Sequence, residues 1–197
     1  MSKPLFSFEF FPPQTAEGVE KLAATRKQLE TLNPEFFSVT FGAGGSTRDR
    51  TLETVQQIKA EGYNAAPHLS CVGSTRENIR AILNTYMNLG INRIVALRGD
   101  LPSGMAGIGD FQYANELVSF ILAQTGEHFH IEVAAYPEFH PQAKSPRDDL
   151  LNFKRKAAAG ADCPLRSYAP TRQVFARLDT LIIRHYRAAV KAPRTAR

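Results

Sequence analysis

A strand followed by a helix recurs five times along this chain, and that alternation constrains the fold more than any other feature. Runs with strand character fall at about 5–11, 36–41, 63–69, 92–97 and 130–136. Amphipathic stretches of helical period fall at about 16–31, 48–61, 75–89, 112–125 and 146–159. Ser74-Thr75-Arg76-Glu77 reads as a helix cap with an acid in the first turn, and Ser145-Pro146 places proline at the first helical position. Gly62, Gly90, Gly126 and Gly160 mark the helix ends, and Ile79, Ile82, Leu83 and Tyr86 share one apolar helix face. Strands alternating with helices specify a parallel sheet, α/β in class.

An open doubly wound sheet and a closed barrel share this grammar, and the strand faces separate them. In Leu5-Phe6-Ser7-Phe8-Glu9-Phe10-Phe11 the three even-numbered phenylalanines share one face, while Ser7 and Glu9 share the other. Ser38 and Thr40 alternate in the same way against Phe37, Val39 and Phe41. An apolar outer face under helices and a polar inner face suit the lumen of a β/α barrel; central strands of an open sheet are apolar on both faces. Pro12-Pro13 then leaves Glu9 at the carboxyl end of its strand, the end at which such barrels keep their chemistry. Later strands end on polar groups too: Thr40, His68, Arg98-Gly99-Asp100, and Tyr136 with Glu138 and His140. Each alone reads as an ordinary surface or core group; their joint placement on one rim points to a site.

Other chemistries find less support. The loop Gly42-Ala43-Gly44-Gly45-Ser46-Thr47 follows a strand and precedes a helix, but lacks the third glycine of a dinucleotide fingerprint and the lysine of a P-loop. His128 and His130 lie at the opposite end of their strand from the other polar groups, so no metal site is expected. There is no Gly-x-Ser-x-Gly elbow. On the last helix Asp149, Asn152 and Lys156 fall at i, i+3 and i+7, hence on one face, either as a solvated charged stripe or as a binder of a sugar–phosphate chain.

Composition matters mainly through its asymmetry. Residues 1–162 carry 16 Lys and Arg against 18 Asp and Glu; residues 163–197 carry 8 against 1. The last block opens Cys163-Pro164-Leu165-Arg166-Ser167-Tyr168-Ala169-Pro170, and two prolines there argue against a buried sixth strand. We therefore expect residues 1–162 to form a partial β/α barrel and residues 163–197 a divergent basic tail, helical in part or disordered. Two distant cysteines, Cys71 and Cys163, suit a reducing compartment, the cytoplasm. No apolar run approaches the ~18 residues of a membrane span, and no export signal is expected.

Taken in order, Ser7-Phe8-Glu9-Phe10-Phe11-Pro12-Pro13, Ser38-Val39-Thr40-Phe41-Gly42-Ala43, Ala66-Pro67-His68-Leu69, Ala96-Leu97-Arg98-Gly99-Asp100, and Ala134-Ala135-Tyr136-Pro137-Glu138 through Lys156 resemble methylenetetrahydrofolate reductase of the bacterial type. The resemblance covers residues 1 to about 162. It implies an incomplete (β/α)8 TIM barrel, FAD as cofactor, NADH or NADPH as electron donor, a folate substrate and a homo-oligomeric family. The implied reaction converts 5,10-methylenetetrahydrofolate to 5-methyltetrahydrofolate for methionine synthesis. Glu9 matches the family's acid, which would protonate the folate nitrogen and open its five-membered ring; Asp100 matches an aspartate near flavin and folate. Flavin contacts would fall on Phe41, Ala43, His68, Arg98, Gly99, Asp100, Ala114, Tyr136, His140, Ala143, Asp149, Asn152, Arg155 and Lys156, and a nicotinamide-side contact on Thr40. Phe41 is often Tyr in the family, Ser167 stands where the family has a Gln, and strands seven and eight have no counterpart. Together with the charge swing, this leads us to expect that the chain is truncated or frameshifted after about residue 162, giving a poorly soluble product with weak flavin retention. The competing reading is a non-enzymatic partial barrel that binds nucleic acid or an anionic membrane through the tail, where Val174, Leu178, Leu181 and Ile182 form a helical stripe. No aromatic or arginine spacing there matches a known nucleic-acid reader.

Overall fold

The computed structural model describes residues 6–41, 47–100, 109–136, 140 and 143–166, with the side chains of 163–166 excepted. Each strand–helix unit expected from the sequence is present: β1 (Ser7–Phe10), α1 (Ala16–Leu29), β2 (Phe36–Val39), α2 (Arg48–Ala60), β3 (Ala65–Ser70), α3 (Arg76–Asn88), β4 (Arg93–Leu97), α4 (Ala114–Thr125), β5 (His130–Ala135) and α5 (Pro146–Ala158). A sixth strand, β6 (Cys163–Arg166), follows. All pairings are parallel and the strand order equals the chain order, β1 to β6, which makes the sheet part of a barrel wall.

Local chemistry explains the helix starts. The hydroxyls of Thr15, Thr75 and Ser145 accept hydrogen bonds from the backbone N–H groups of Gly18 (3.1 Å), Asn78 (3.2 Å) and Asp148 (3.1 Å). Each satisfies a donor that the helix cannot, a contribution of about 1 kcal/mol. At α4 the Glu116 carboxylate reaches back instead, accepting from the N–H of the N-cap Tyr113 at 3.4 Å and of the preceding Gln112 at 2.7 Å. The four glycines expected at helix ends all carry positive φ.

The sheet has two unlike faces. Phe37, Val39, Leu69, Ile94, Ala96, Ile131 and Val133 point outward and join Ile58, Ile79, Leu83, Leu117 and Ile121 of the helices in the main core. Burial of each large side chain contributes about 1.5–3 kcal/mol. The inner face carries only a small apolar cluster, Phe36, Ala66 and Val95 with Leu97 against it, and otherwise presents Ser38, His68 and Glu132. At its amino-terminal end Arg93 lies over the Phe36 ring (4.7 Å), reaches Glu132 at 2.5 Å and Glu35 at 3.3 Å, and so neutralises a buried carboxylate.

The sixth strand corrects the expectation that the prolines after Asp162 end the sheet. β6 pairs with β5 in register, Val133 opposite Pro164 and Ala134 opposite Leu165. The N–H of Asp162 donates to the Ile131 carbonyl at 2.9 Å, so by the two-residue period Pro164 falls where the next donor to β5 would stand. One rung is missing there, but proline's φ remains compatible with extended backbone and β6 is the edge of the described sheet. The helical stripe from Val174 to Ile182, Ser167 and the loop Gly42–Ser46 lie outside the described residues.

Candidate active site

Two adjoining polar regions occupy the carboxyl ends of the strands. The first is in the lumen. β1 carries Glu9 directly opposite Ser38 of β2, and His68 follows on β3. The Glu9 Oε2 atom lies 3.5 Å from His68 Nε2. Glu9 is about half exposed, with a side-chain accessibility of 51%, and partial burial raises its carboxyl above the usual range. His68 is buried, and desolvation pushes it down to about 4, so the imidazole is neutral at pH 7 and the pair is no ion pair. His68 Nε2 and the fully buried Ser38 Oγ have no hydrogen-bond partner among the described residues. Two buried polar atoms without partners beside one carboxyl are costly to the fold and suited to a polar guest.

The second region is a cleft of about 250 Å³ bounded by four segments. Leu97 to Asp100 leave β4, Tyr113 to Asn115 open α4, Ala134 and Tyr136 end β5, and α5 supplies Asp149, Asn152 and Lys156. His140 and Ala143 complete the wall. The helical-face expectation for Asp149, Asn152 and Lys156 holds, since all three line the same cleft.

Gly99 is the hinge of this arrangement. Its φ is +84°, and a Cβ there would stand 1.8 Å from Ser70 Oγ and 2.9 Å from Val72 Cγ1. The end of β3 grips the end of β4 around it: Ser70 Oγ donates to the Arg98 carbonyl at 3.0 Å, as does the N–H of Val72 at 2.8 Å, while Cys71 N–H donates to Leu97 at 3.2 Å. Only glycine fits that close approach at positive φ. Arg98 and Asp100 are thereby aimed at the cleft. Cys71 beneath is inert, its thiol pushed up to about 12 by burial.

Electrostatics differ around the walls. Burial, then the neighbouring carboxylates of Asp100, Asp149 and Glu9, raise the Tyr136 hydroxyl, which stays protonated. The Tyr136 ring meets His140 edge-on at 4.7 Å. Burial pushes the Lys156 ammonium down to about 8. Its Nζ donates to the Ala134 carbonyl, and it stands 5.8 Å from the Phe153 ring.

Of the residues expected at the site, Arg98, Gly99, Asp100, Ala114, Tyr136, His140, Ala143, Asp149, Asn152 and Lys156 converge on the cleft. Glu9 and His68 meet in the lumen, and Thr40 and Phe41 follow directly after β2, with the Thr40 carbonyl accepting from Thr51 at 2.8 Å. Arg155 is exposed, off the cleft lining, and donates to Asn152 Oδ1 at 2.8 Å. Ala43 and Glu138 lie outside the described residues. Tyr113 and Asn115 were not anticipated; the one available signal was their position beside Ala114 at a helix start. His128 and His130 are engaged separately, the first with the Ile91 carbonyl at 3.0 Å, the second with Glu132 at 3.3 Å.

Comparison with known proteins gives this geometry a context. A family model described as methylenetetrahydrofolate reductase matches residues 1–188, spanning β6 and continuing beyond it. The 5,10-methylenetetrahydrofolate reductases of Salmonella typhimurium and Escherichia coli are each 50% identical over 157 residues, covering 79% of this chain and 52% of theirs. Methylenetetrahydrofolate reductase (NADH) 1 of Zea mays is 40% identical over 171 residues, 80% of this chain and 29% of its own. The chain thus spans about half the length of the bacterial relatives it matches. Among solved structures, an uncharacterized protein from Clostridium thermocellum that binds two copies of 5-methyl-5,6,7,8-tetrahydrofolic acid superposes with a TM-score of 0.54 at 13% identity, over 94% of this chain and 61% of that one, a likeness of fold. By its family match and its identity to the bacterial enzymes, the chain belongs to the methylenetetrahydrofolate reductase family.

Proposed function

We propose that this chain carries the flavin-binding and acid-bearing part of an FAD-dependent methylenetetrahydrofolate reductase. The reaction is reduction of 5,10-methylenetetrahydrofolate to 5-methyltetrahydrofolate with electrons from NADH or NADPH, in the cytoplasm. The observation that carries the reading is the convergence of four separate segments on one cleft, beside a lumen that presents a raised carboxyl and two unsatisfied polar atoms.

The residues present fit such a cofactor. Arg98 and Lys156 supply cationic donors for a phosphate-bearing chain, Asn152 and Asp149 supply amide and carboxylate for sugar hydroxyls, and Tyr136 and His140 offer ring surface. His68 Nε2 and Ser38 Oγ are the orphaned atoms that a polar ring edge in the lumen would satisfy. FAD, when bound, would supply hydride-transfer chemistry to this site. Glu9 is the proton donor of this reading: partial burial raises its carboxyl above the usual range, which favours the protonated form it would deliver to the folate nitrogen, and neutral His68 beside it adds no positive charge that would draw the proton off. Asp100, exposed at the end of β4, orients the substrate and adds negative charge at the cleft mouth. Thr40 belongs to the nicotinamide side.

Flavin titration of the purified chain tests the reading. Bound FAD should lose fluorescence, and the loaded protein should oxidise NADH with a quinone acceptor. A chain that is folded by circular dichroism but leaves FAD fluorescence unchanged at high concentration would refute it.

A further inference from the structure

Threonines inside the helices of this molecule mostly bond to their own helix. Thr25, Thr54, Thr85 and Thr125 donate to the carbonyls of Lys21, Arg50, Ala81 and Ile121, each four residues back, at 2.9, 2.7, 3.0 and 2.8 Å. That local bond is the ordinary use of such a hydroxyl. Thr51, fully buried in the first turn of α2, departs from it. Its N–H donates to the Thr47 carbonyl at 2.8 Å, as the helix requires, but its hydroxyl leaves the helix and donates to the Thr40 carbonyl, also at 2.8 Å. Thr40 stands where the sheet stops holding it: the β2–β3 register ends at Val39 and Pro67, and β3 pairs with β4 from His68 onward. Past that point the Thr40 carbonyl is held by Thr51, and its N–H donates to the Phe10 carbonyl at 2.8 Å. Phe10 is the residue after Glu9, and among the described strands β1 pairs with β2 alone. A line of hydrogen bonds therefore runs from α2 through the end of β2 to the strand that carries the acid.

We propose that Thr51 is a positioning residue, which through Thr40 sets the carboxyl ends of β2 and β1 and so the electron-donor side of the site. This role rests on the proposed function, in which Thr40 belongs to the nicotinamide side. Thr51 acts from the second layer, through a backbone carbonyl. A hydroxyl hydrogen bond is directional, so it fixes where Thr40 stands and not merely how tightly α2 packs. Removing the hydroxyl at nearly constant shape leaves the Thr40 carbonyl without that bond and the end of β2 free to shift. A contact made equally before and during electron transfer shows its loss in the donor concentration needed, and leaves the limiting rate alone.

Thr51→Val, which keeps the branched shape and loses the hydroxyl, is the test, and Thr51→Ser is the variant that restores the donor. The first readout is amide hydrogen exchange on the full chain without FAD. The Thr40 N–H should exchange at least about tenfold faster in Thr51→Val, while the amides of β4 stay within about twofold. The second is anaerobic reduction of bound FAD by NADH in stopped flow. The NADH concentration at half-saturation should rise about tenfold, with the limiting rate and the FAD fluorescence quench within about twofold. Thr51→Ser should return both readouts to those of the parent chain. Thr51→Cys, a weaker donor, should fall between, and it decides the matter by the same readouts if the valine variant does not fold. Unchanged exchange at Thr40, or a rise spread evenly over the sheet, overturns the inference and leaves the flavin reading standing. Faster exchange with an unchanged NADH dependence also overturns it, since Thr51 is then structural alone. A parent chain whose bound flavin NADH does not reduce overturns the donor-side reading of Thr40, and the role of Thr51 with it; that failure shows in the parent and not in the variants.

Discussion

Phe37 and Ser38 are neighbours on β2 and both are fully buried, yet the two sides of the sheet treat them in opposite ways. Phe37 faces outward into a packed aromatic group, 6.2 Å from Phe8, 5.6 Å from Phe10 and 5.4 Å edge-on from Tyr63. Ser38 faces the lumen with a hydroxyl that has no hydrogen-bond partner among the described residues. The outer face is saturated and holds the fold; the inner face is left incomplete, and its incompleteness is what a ligand can complete. Burial alone therefore does not tell structure from function in this molecule; partner satisfaction does.

Substitutions on the two faces should separate sharply. If the proposed function holds, the largest effect is expected from Glu9→Gln, which removes the proposed proton donor and should slow folate reduction about 10²–10⁴-fold while NADH–quinone oxidation stays within about twofold. Parallel loss of both half-reactions in stopped-flow assays would erase the distinction. On the outer face Phe37→Ala should destabilise by about 3–5 kcal/mol in urea unfolding, with flavin affinity lost only as far as the protein unfolds. Acid should act through the lumen. His68 is neutral when folded, with its value near 4, and takes up a proton on unfolding below about 6.5, so the unfolded state binds more protons in that window. Stability should fall as pH drops from about 6.5 to about 4, by up to about 3 kcal/mol, and His68→Gln should flatten the slope. Gly99→Ala should cost about 1–3 kcal/mol and release bound flavin, since it combines positive φ with the contact against Ser70. Ser38→Ala should be the mildest, within about 0.5 kcal/mol or slightly stabilising, because no hydrogen bond is lost. A large destabilisation there would mean that Ser38 is satisfied in the folded protein after all.

Much of this was legible in the sequence because β-strand alternation and helix period act locally. Phe6-Ser7-Phe8-Glu9-Phe10 alone divides outer from inner face, and the Asp149, Asn152 and Lys156 spacing alone predicts a shared wall. What escaped depended on distant neighbours. Pro164 looked like a strand breaker, although β3 already contains Pro67 and changes partner there, pairing with β2 through residue 67 and with β4 from residue 68. A proline removes one donor; whether that matters is decided by the strand beside it. Tyr113 and Asn115 enter the cleft because α4 starts next to the end of β5, a relation between units that no local pattern encodes. Gly99 reads as an ordinary turn glycine until Ser70, on another strand, is placed against it.

The match between strand order and chain order has a consequence for how the molecule comes into being. Every strand pairs with the unit made just before it, so the sheet can grow by accretion during synthesis, each strand–helix unit docking on the edge left by its predecessor. Glu9 is in position from the first pairing, but the cleft acquires its fourth wall only when α5 docks. The cleft is therefore completed as a late, discrete event in the life of the nascent chain, long after Glu9 has found its place.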